Sequence, residues 1–219
     1  MFEYFYHEIF RKTVIGFGTL FNNIFVETKD KDGNTVSRKK VPLAYAPVQK
    51  FLARIEQSSD LNKPTAINLP RMSFEITGFN YDTTRKLTST TKLCGNGKEV
   101  FTPVPYNVDF ELNILTKLND DALQIVEQIL PYFQPAYNIT VDMVKELGDK
   151  KDIPVVLTNI STQDEYEGDF STRRALIYTL RFTAKTYLYG PVQSSKVVKK
   201  ATLTYKSGEY DPNVTKRDV

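Results

Sequence analysis

The stretch from Pro105 to Pro135, PYNVDFELNILTKLNDDALQIVEQILPYFQP, constrains the fold more than any other part of the chain. In its first half Tyr106, Val108, Phe110, Leu112 and Ile114 alternate with Asn107, Asp109, Glu111 and Asn113. A period of two marks a strand with one buried face. The period changes at Asn119, a favourable N-cap, followed by Asp120 and Asp121, which suit the positive end of a helix dipole. Leu123, Val126, Ile129, Leu130 and Phe133 then recur at helical spacing. Pro131 predicts an end or kink near Leu130, and Pro135 blocks any continuation. A long strand feeding a short amphipathic helix is a unit around which other strands can pack.

Ahead of it, Phe10, Val14, Phe17 and Phe21 recur at i, i+4, i+7 and i+11, with Ile9 and Leu20 widening the stripe, which predicts a helix over Tyr6 to Asn22. Gly16 and Gly18 each cost such a helix about 1 kcal/mol, so they mark a close approach of another backbone or a fray. A nucleotide-binding turn is a poor reading, because no strand precedes the pair and no third glycine follows at the required spacing. Ile24 to Lys29 and Thr35 to Tyr45 flank KDKDGN, whose Asp-Gly is a hairpin signal. The hairpin carries Lys29, Lys31, Arg38, Lys39 and Lys40, read either as a solvated edge blunted by lysine or as a basic arm reaching a neighbouring subunit. Pro47 opens a short helix with Val48, Phe51, Leu52 and Ile55 as its apolar face, and Ser58 to Pro64 is a loop.

Met72, Phe74 and Ile76 alternate as a strand, after which Asp82 to Lys98 has no apolar period and reads as a long mobile loop. Cys94 lies in that loop with no His or second Cys nearby, a bystander rather than a nucleophile. Tyr137, Ile139, Val141 and Met143 form a further strand, Lys145 to Lys151 a charged loop, and Ile153 to Ile160 an apolar strand. Asp164 to Asp169 is an acidic turn, and Leu176, Tyr178, Leu180, Phe182 and Ala184 alternate along another long strand. Val197 to Tyr205 is expected as an edge strand, and residues 207–219 as a polar tail. The expected fold is one α+β domain over residues 1–206, a largely antiparallel sheet of long strands flanked by two or three helices.

Composition excludes more than it suggests. The chain has 219 residues, 41% hydrophobic and 25% charged, the balance of a soluble globular protein. One cysteine forbids an intramolecular disulfide. No apolar run approaches the roughly 20 residues of a membrane span, so no membrane partner is expected. MFEYFYHEIF lacks the order of a signal peptide, and a cytoplasmic setting is expected. His7 is the only histidine, which nearly excludes imidazole-dependent metal clusters and nucleophile pairs, and no phosphate-cradling glycine loop is present. Neither an enzyme nor a cofactor is implied. Net charge is +3, but residues 1–98 carry 15 bases and 9 acids, residues 99–169 carry 4 and 14, and residues 170–219 carry 10 and 3. Opposed blocks favour complementary contacts between copies or with two partners over sequence-specific nucleic-acid recognition; an uneven solvated surface is the plainer account.

DALQIVEQILPYFQP, together with FEYFYHEIFRKTVIGFGTLFNNI and LPRMSFEITGFNYD, resembles the tail sheath stabiliser and completion proteins of T-even-type contractile bacteriophages. The resemblance covers most of the chain and involves no catalytic motif. It implies a tail-terminator-like fold and a six-fold ring at the head-proximal end of the tail, contacting the sheath, the tail-tube terminator and the neck or head completion proteins. A ring needs head-to-tail contacts between unlike patches. The candidate interface residues are Arg38, Lys39, Lys40, Arg85, Lys86, Asp164, Glu165, Arg173 and Arg174, with the acidic middle block of one subunit facing Arg173, Arg174 or Lys39 of the next. Charge reversal at Arg173 and Arg174 is then expected to weaken the ring. A tail-tube terminator, and a nucleic-acid-binding module using the basic loops, are the alternative readings.

Overall fold

The computed structural model of the chain describes residues 4–30, 35–57, 69–165 and 175–194. It opens with α1 (Ile9–Leu20), β1 (Phe25–Lys29), β2 (Thr35–Lys40), β3 (Leu43–Tyr45) and α2 (Val48–Gln57). β4 (Arg71–Tyr81), β5 (Lys92–Gly95), β6 (Lys98–Phe101) and β7 (Val104–Thr116) follow. Next come α3 (Asn119–Ile129), β8 (Ala136–Val144), β9 (Asp149–Glu165), β10 (Ala175–Leu188) and β11 (Gln193–Ser194). Six strands form the main sheet in the order β3-β4-β7-β10-β9-β8, every pair antiparallel except β3 with β4. This is the α+β architecture that the alternations predict. The expected strand at Val197 to Tyr205, the loop at Ser58 to Pro64 and the tail lie outside the described residues.

β7 sits inside the sheet, and its alternation sets one apolar face. Phe110 pairs with Phe182, Leu112 with both Leu180 and Phe74, and Ile114 with Met72. These side chains are buried, and α1 lies across part of this face. Phe17 of α1 meets Phe74, Phe110 and Phe182, rings from three adjacent strands. The two glycines explain how close the helix comes. A Cβ on Gly16 would stand 3.2 Å from Ile139 Cδ1 on β8, and one on Gly18 2.9 Å from Phe74 Cζ on β4. With neighbouring strands about 4.8 Å apart, β4 and β8 would lie about 19 Å apart in a flat sheet. A helix about 10 Å wide touches both, so the sheet curls around α1. The close approach inferred at this pair is therefore real, but the neighbours are side chains rather than backbone.

α3 covers the same face from its other end, with Ile129 buried and Val126 and Phe133 packed on the core as expected, but with one position of the stripe displaced. Ala122, Ile125 and Ile129 are buried, whereas Leu123 is 49% exposed. Asn119 is not the N-cap either. Leu118 holds that position in extended backbone, and the Asn119 Oδ1 accepts a 2.7 Å hydrogen bond from the Tyr178 hydroxyl. Pro131 acts as predicted: the α-helix ends at Ile129 and tightens into a 3-10 turn over Leu130–Tyr132.

Several expected boundaries move. α1 runs Ile9–Leu20 rather than Tyr6 to Asn22, and β9 begins inside the expected charged loop and continues into the expected acidic turn. The return strand of the first hairpin stops at Lys40 instead of reaching Tyr45, because Pro42 has no N–H for the ladder, and β3 leaves to pair with β4. Asp82 to Lys98 is structured rather than one long loop. Asp82 caps a 3-10 turn over Thr83–Arg85, and β5 and β6 form a hairpin whose Asn96 and Gly97 both take positive φ. Gly95-Asn96-Gly97 was the hairpin signal in a segment with no apolar period.

Candidate interface surfaces

Among the described residues no group of His, Cys, Asp and Glu is placed to hold a metal ion, and no helix is long and apolar enough to cross a membrane. His7 serves the backbone, its Nε2 lying 2.8 Å from the Gly190 carbonyl.

The basic hairpin is latched to α3. Gln124 and Gln128 each use both ends of the side-chain amide: Gln124 accepts from Glu27 N–H at 3.0 Å and donates to its carbonyl at 3.1 Å. Gln128 does the same at Phe25, accepting at 3.3 Å and donating at 2.7 Å. The two amides satisfy one edge of β1 as a neighbouring strand would. Arg38 on β2 lies over the Phe25 ring and pairs with Glu27 at 3.5 Å. Lys39 is exposed close to Asp121, whose carboxyl is raised by burial first and then by Asp120, with Lys39 opposing the rise only in part. Lys40 is exposed.

Arg85 faces inward. Its Nε donates to Asp82 at 2.7 Å, its Nη2 to Asn107 Oδ1 at 2.7 Å, and its guanidinium lies 5.0 Å from the Tyr187 ring centroid. Hydrogen bonds from Thr84 and then Arg85 hold the Asp82 carboxyl well below the usual carboxylate range. Lys86, the next residue, is exposed. Asp164 and Glu165 close β9, their backbone opposite Leu176 and Ala175. Arg173 and Arg174 lie outside the described residues.

Sequence reasoning missed a polar face on the side of the sheet away from α1. Glu111 on β7 stands directly between Glu75 on β4 and Arg181 on β10. Arg181 Nε donates to Glu111 at 3.3 Å, leaving Glu75 beside a like charge. Burial first, then Glu111, raises the Glu75 carboxyl above its ordinary value. One pair further along, Asp109 accepts from Asn80 at 2.6 Å and from Thr183 at 2.8 Å. The signal was present in the second half of the β7 alternation, Asn107, Asp109, Glu111 and Asn113, which reads simply as the solvated side until β4 and β10 are placed beside it.

Comparison with known proteins gives these surfaces a family context. A family model described as T4-like virus Myoviridae tail sheath stabiliser matches residues 4–219. The chain is also similar to the tail completion protein gp15 of Enterobacteria phage T4, with 32% identity over 218 residues, covering 93% of this chain and 79% of that protein. On a match that runs through every described element, the chain belongs to the family of tail sheath stabilisers of T4-like myoviruses.

Proposed function

We propose that the chain forms a ring, six-fold by its resemblance to the family, on the head-proximal end of a contractile phage tail. There it caps the last sheath subunits, holds them against premature contraction and presents a docking surface to the neck. The tail sheath, the tail-tube terminator and the neck or head completion proteins are its partners, the virion is its final location, and the role is structural rather than catalytic. The observation that carries this is the family match across residues 4–219. The distribution of charge supports it. Glu75, Asp109 and Glu111 gather carboxylates on one sheet face, with Arg181 paired to one of them, while Lys39, Lys40 and Lys86 are exposed on other elements. Unlike patches on different sides of one subunit suit head-to-tail contacts.

The test is electron microscopy of lysates from a phage in which this gene alone is disabled. Full-length tails with loosened or missing sheaths beside filled, tailless heads are expected. Tails of uncontrolled length would assign the chain to tube termination instead, and normal infectious particles would remove the role altogether.

A further inference from the structure

α1 lies antiparallel to the edge strand β8. Lys12 Nζ donates to the Asp142 carbonyl at 2.8 Å, and Gly16 sits against Ile139. The two ends of this helix differ sharply. Ahead of it, Tyr4 is 95% exposed and Tyr6 62% exposed, with Phe5 between them also exposed. This aromatic segment is aimed. Lys12 Nζ holds the His7 carbonyl at 2.8 Å, His7 holds Gly190, and Glu8 turns the chain into the helix with φ 58. A left-handed conformation at a non-glycine residue is strained, so the direction of the segment is held against a cost.

At the other end of α1 lies an apolar groove of ≈ 540 Å³, lined by Leu20, Ile24, Pro131, Tyr132, Phe133 and Tyr137. Tyr132 is 68% exposed. Glu127 is the charged residue on its rim, and Arg11, exposed on the first turn after the aromatic segment and 3.4 Å from Glu8, carries the opposite sign. The segment cannot reach its own groove. The helix between them has 12 residues, about 18 Å of rise, and the chain from Tyr4 to His7 spans about 13 Å at full extension.

We propose that Tyr4–Tyr6 of one copy seats in the groove beside Tyr132 of the next copy. Aromatic side chains bury about 150–250 Å² each when covered, so the segment supplies a large share of the about 800 Å² per partner of a standard interface. The contact joins two different patches, so it propagates head to tail and closes a ring when the rotation allows. It rests on the ring proposed above and names one contact within it.

The test is disulfide trapping in the full chain, with Cys94→Ser as background and Tyr4→Cys with Tyr132→Cys as the reporting pair. Both reporting positions are exposed, and circular dichroism of each variant checks the fold. Oxidation of the double variant is expected to give a ladder of covalent oligomers, with no ladder from either single variant. A ladder without closed particles in negative stain would support the contact and remove the ring. Rings without a ladder would remove the contact and leave the ring standing, and neither would remove both. A disulfide confined to one chain, a dimer from Tyr4→Cys alone, or trapping of Tyr132→Cys only on added sheath protein would each overturn the proposal.

Discussion

Phe17 and Phe110 stack face to face, with ring centroids 4.3 Å apart and planes 7° from parallel. One ring comes from the C-terminal half of α1, the other from the middle of β7, and both are essentially inaccessible to solvent. Phe74 and Phe182 complete the box around Phe17. Phe17→Ala is expected to cost about 3–5 kcal/mol, read as a lower urea midpoint. A loss below 1 kcal/mol would mean that the helix is held elsewhere.

The glycines of α1 differ in what surrounds them. Alanine gains about 1 kcal/mol of helix propensity at either position. At Gly18 the new Cβ would stand 2.9 Å from a ring carbon of buried Phe74, which has little room to retreat, so Gly18→Ala is expected to be destabilising by about 1–2 kcal/mol. At Gly16 the contact is 3.2 Å to the end of the flexible Ile139 side chain, and Gly16→Ala is expected within about 0.5 kcal/mol of the wild type. Equal effects in thermal melts would contradict the placement of α1 in the curl.

Arg85 and Lys86 are neighbours in sequence with different duties. Arg85→Ala opens the cluster of Asp82, Asn107 and Tyr187 and is expected to lower the melting temperature at pH 7, whereas Lys86→Ala leaves it unchanged. The Asp82 carboxyl is lowered, so its contribution is full above the ordinary value of 3.8 and is lost as pH falls through the depressed one. The melting-temperature gap between wild type and Asp82→Asn is therefore expected to be constant near neutrality and to close only under acid conditions below that value.

Glu75 predicts the opposite slope. Its carboxyl is raised, so at pH 7 the folded state carries a charge it disfavours, and protonation relieves this as pH falls through the raised value. Glu75→Gln is expected to raise the melting temperature at pH 7 and to converge with the wild type below the ordinary value of 4.5. Convergence at neutral pH, or a Glu75→Gln protein that melts lower, would contradict the Glu75–Glu111 juxtaposition.

The long strands could be read from the chain because each buries one face, and alternation at Phe110, Leu112 and Ile114 or at Leu180, Phe182 and Ala184 survives any tertiary arrangement. α3 shows where that reading ends. Leu123 and Ile125 are both apolar, and only the position of the helix over β7 and β10 decides that Ile125 goes inward. Asn119 has the right chemistry for a cap, but Tyr178, distant in sequence, uses its amide oxygen. Charge alone marks the candidate interface residues, and it cannot distinguish Arg85, tied into Asp82 and Asn107, from Lys86, facing water. Gln124 and Gln128 carry no charge or pattern of note until β1 lies alongside them.

The position of α1 in the curl also orders events in time. Phe17 is synthesised before Phe74, Phe110 and Phe182, so the helix must wait for most of the chain before its own contacts exist. Such long-range closure is slow and is completed late in folding. Because α1 spaces Tyr4 from the groove at Leu20, an unfinished subunit cannot present the two ends at their proper separation. Under the contact proposed here, completion of the core and competence to join a neighbour become one event, and half-folded chains are kept out of the growing particle without a separate checkpoint.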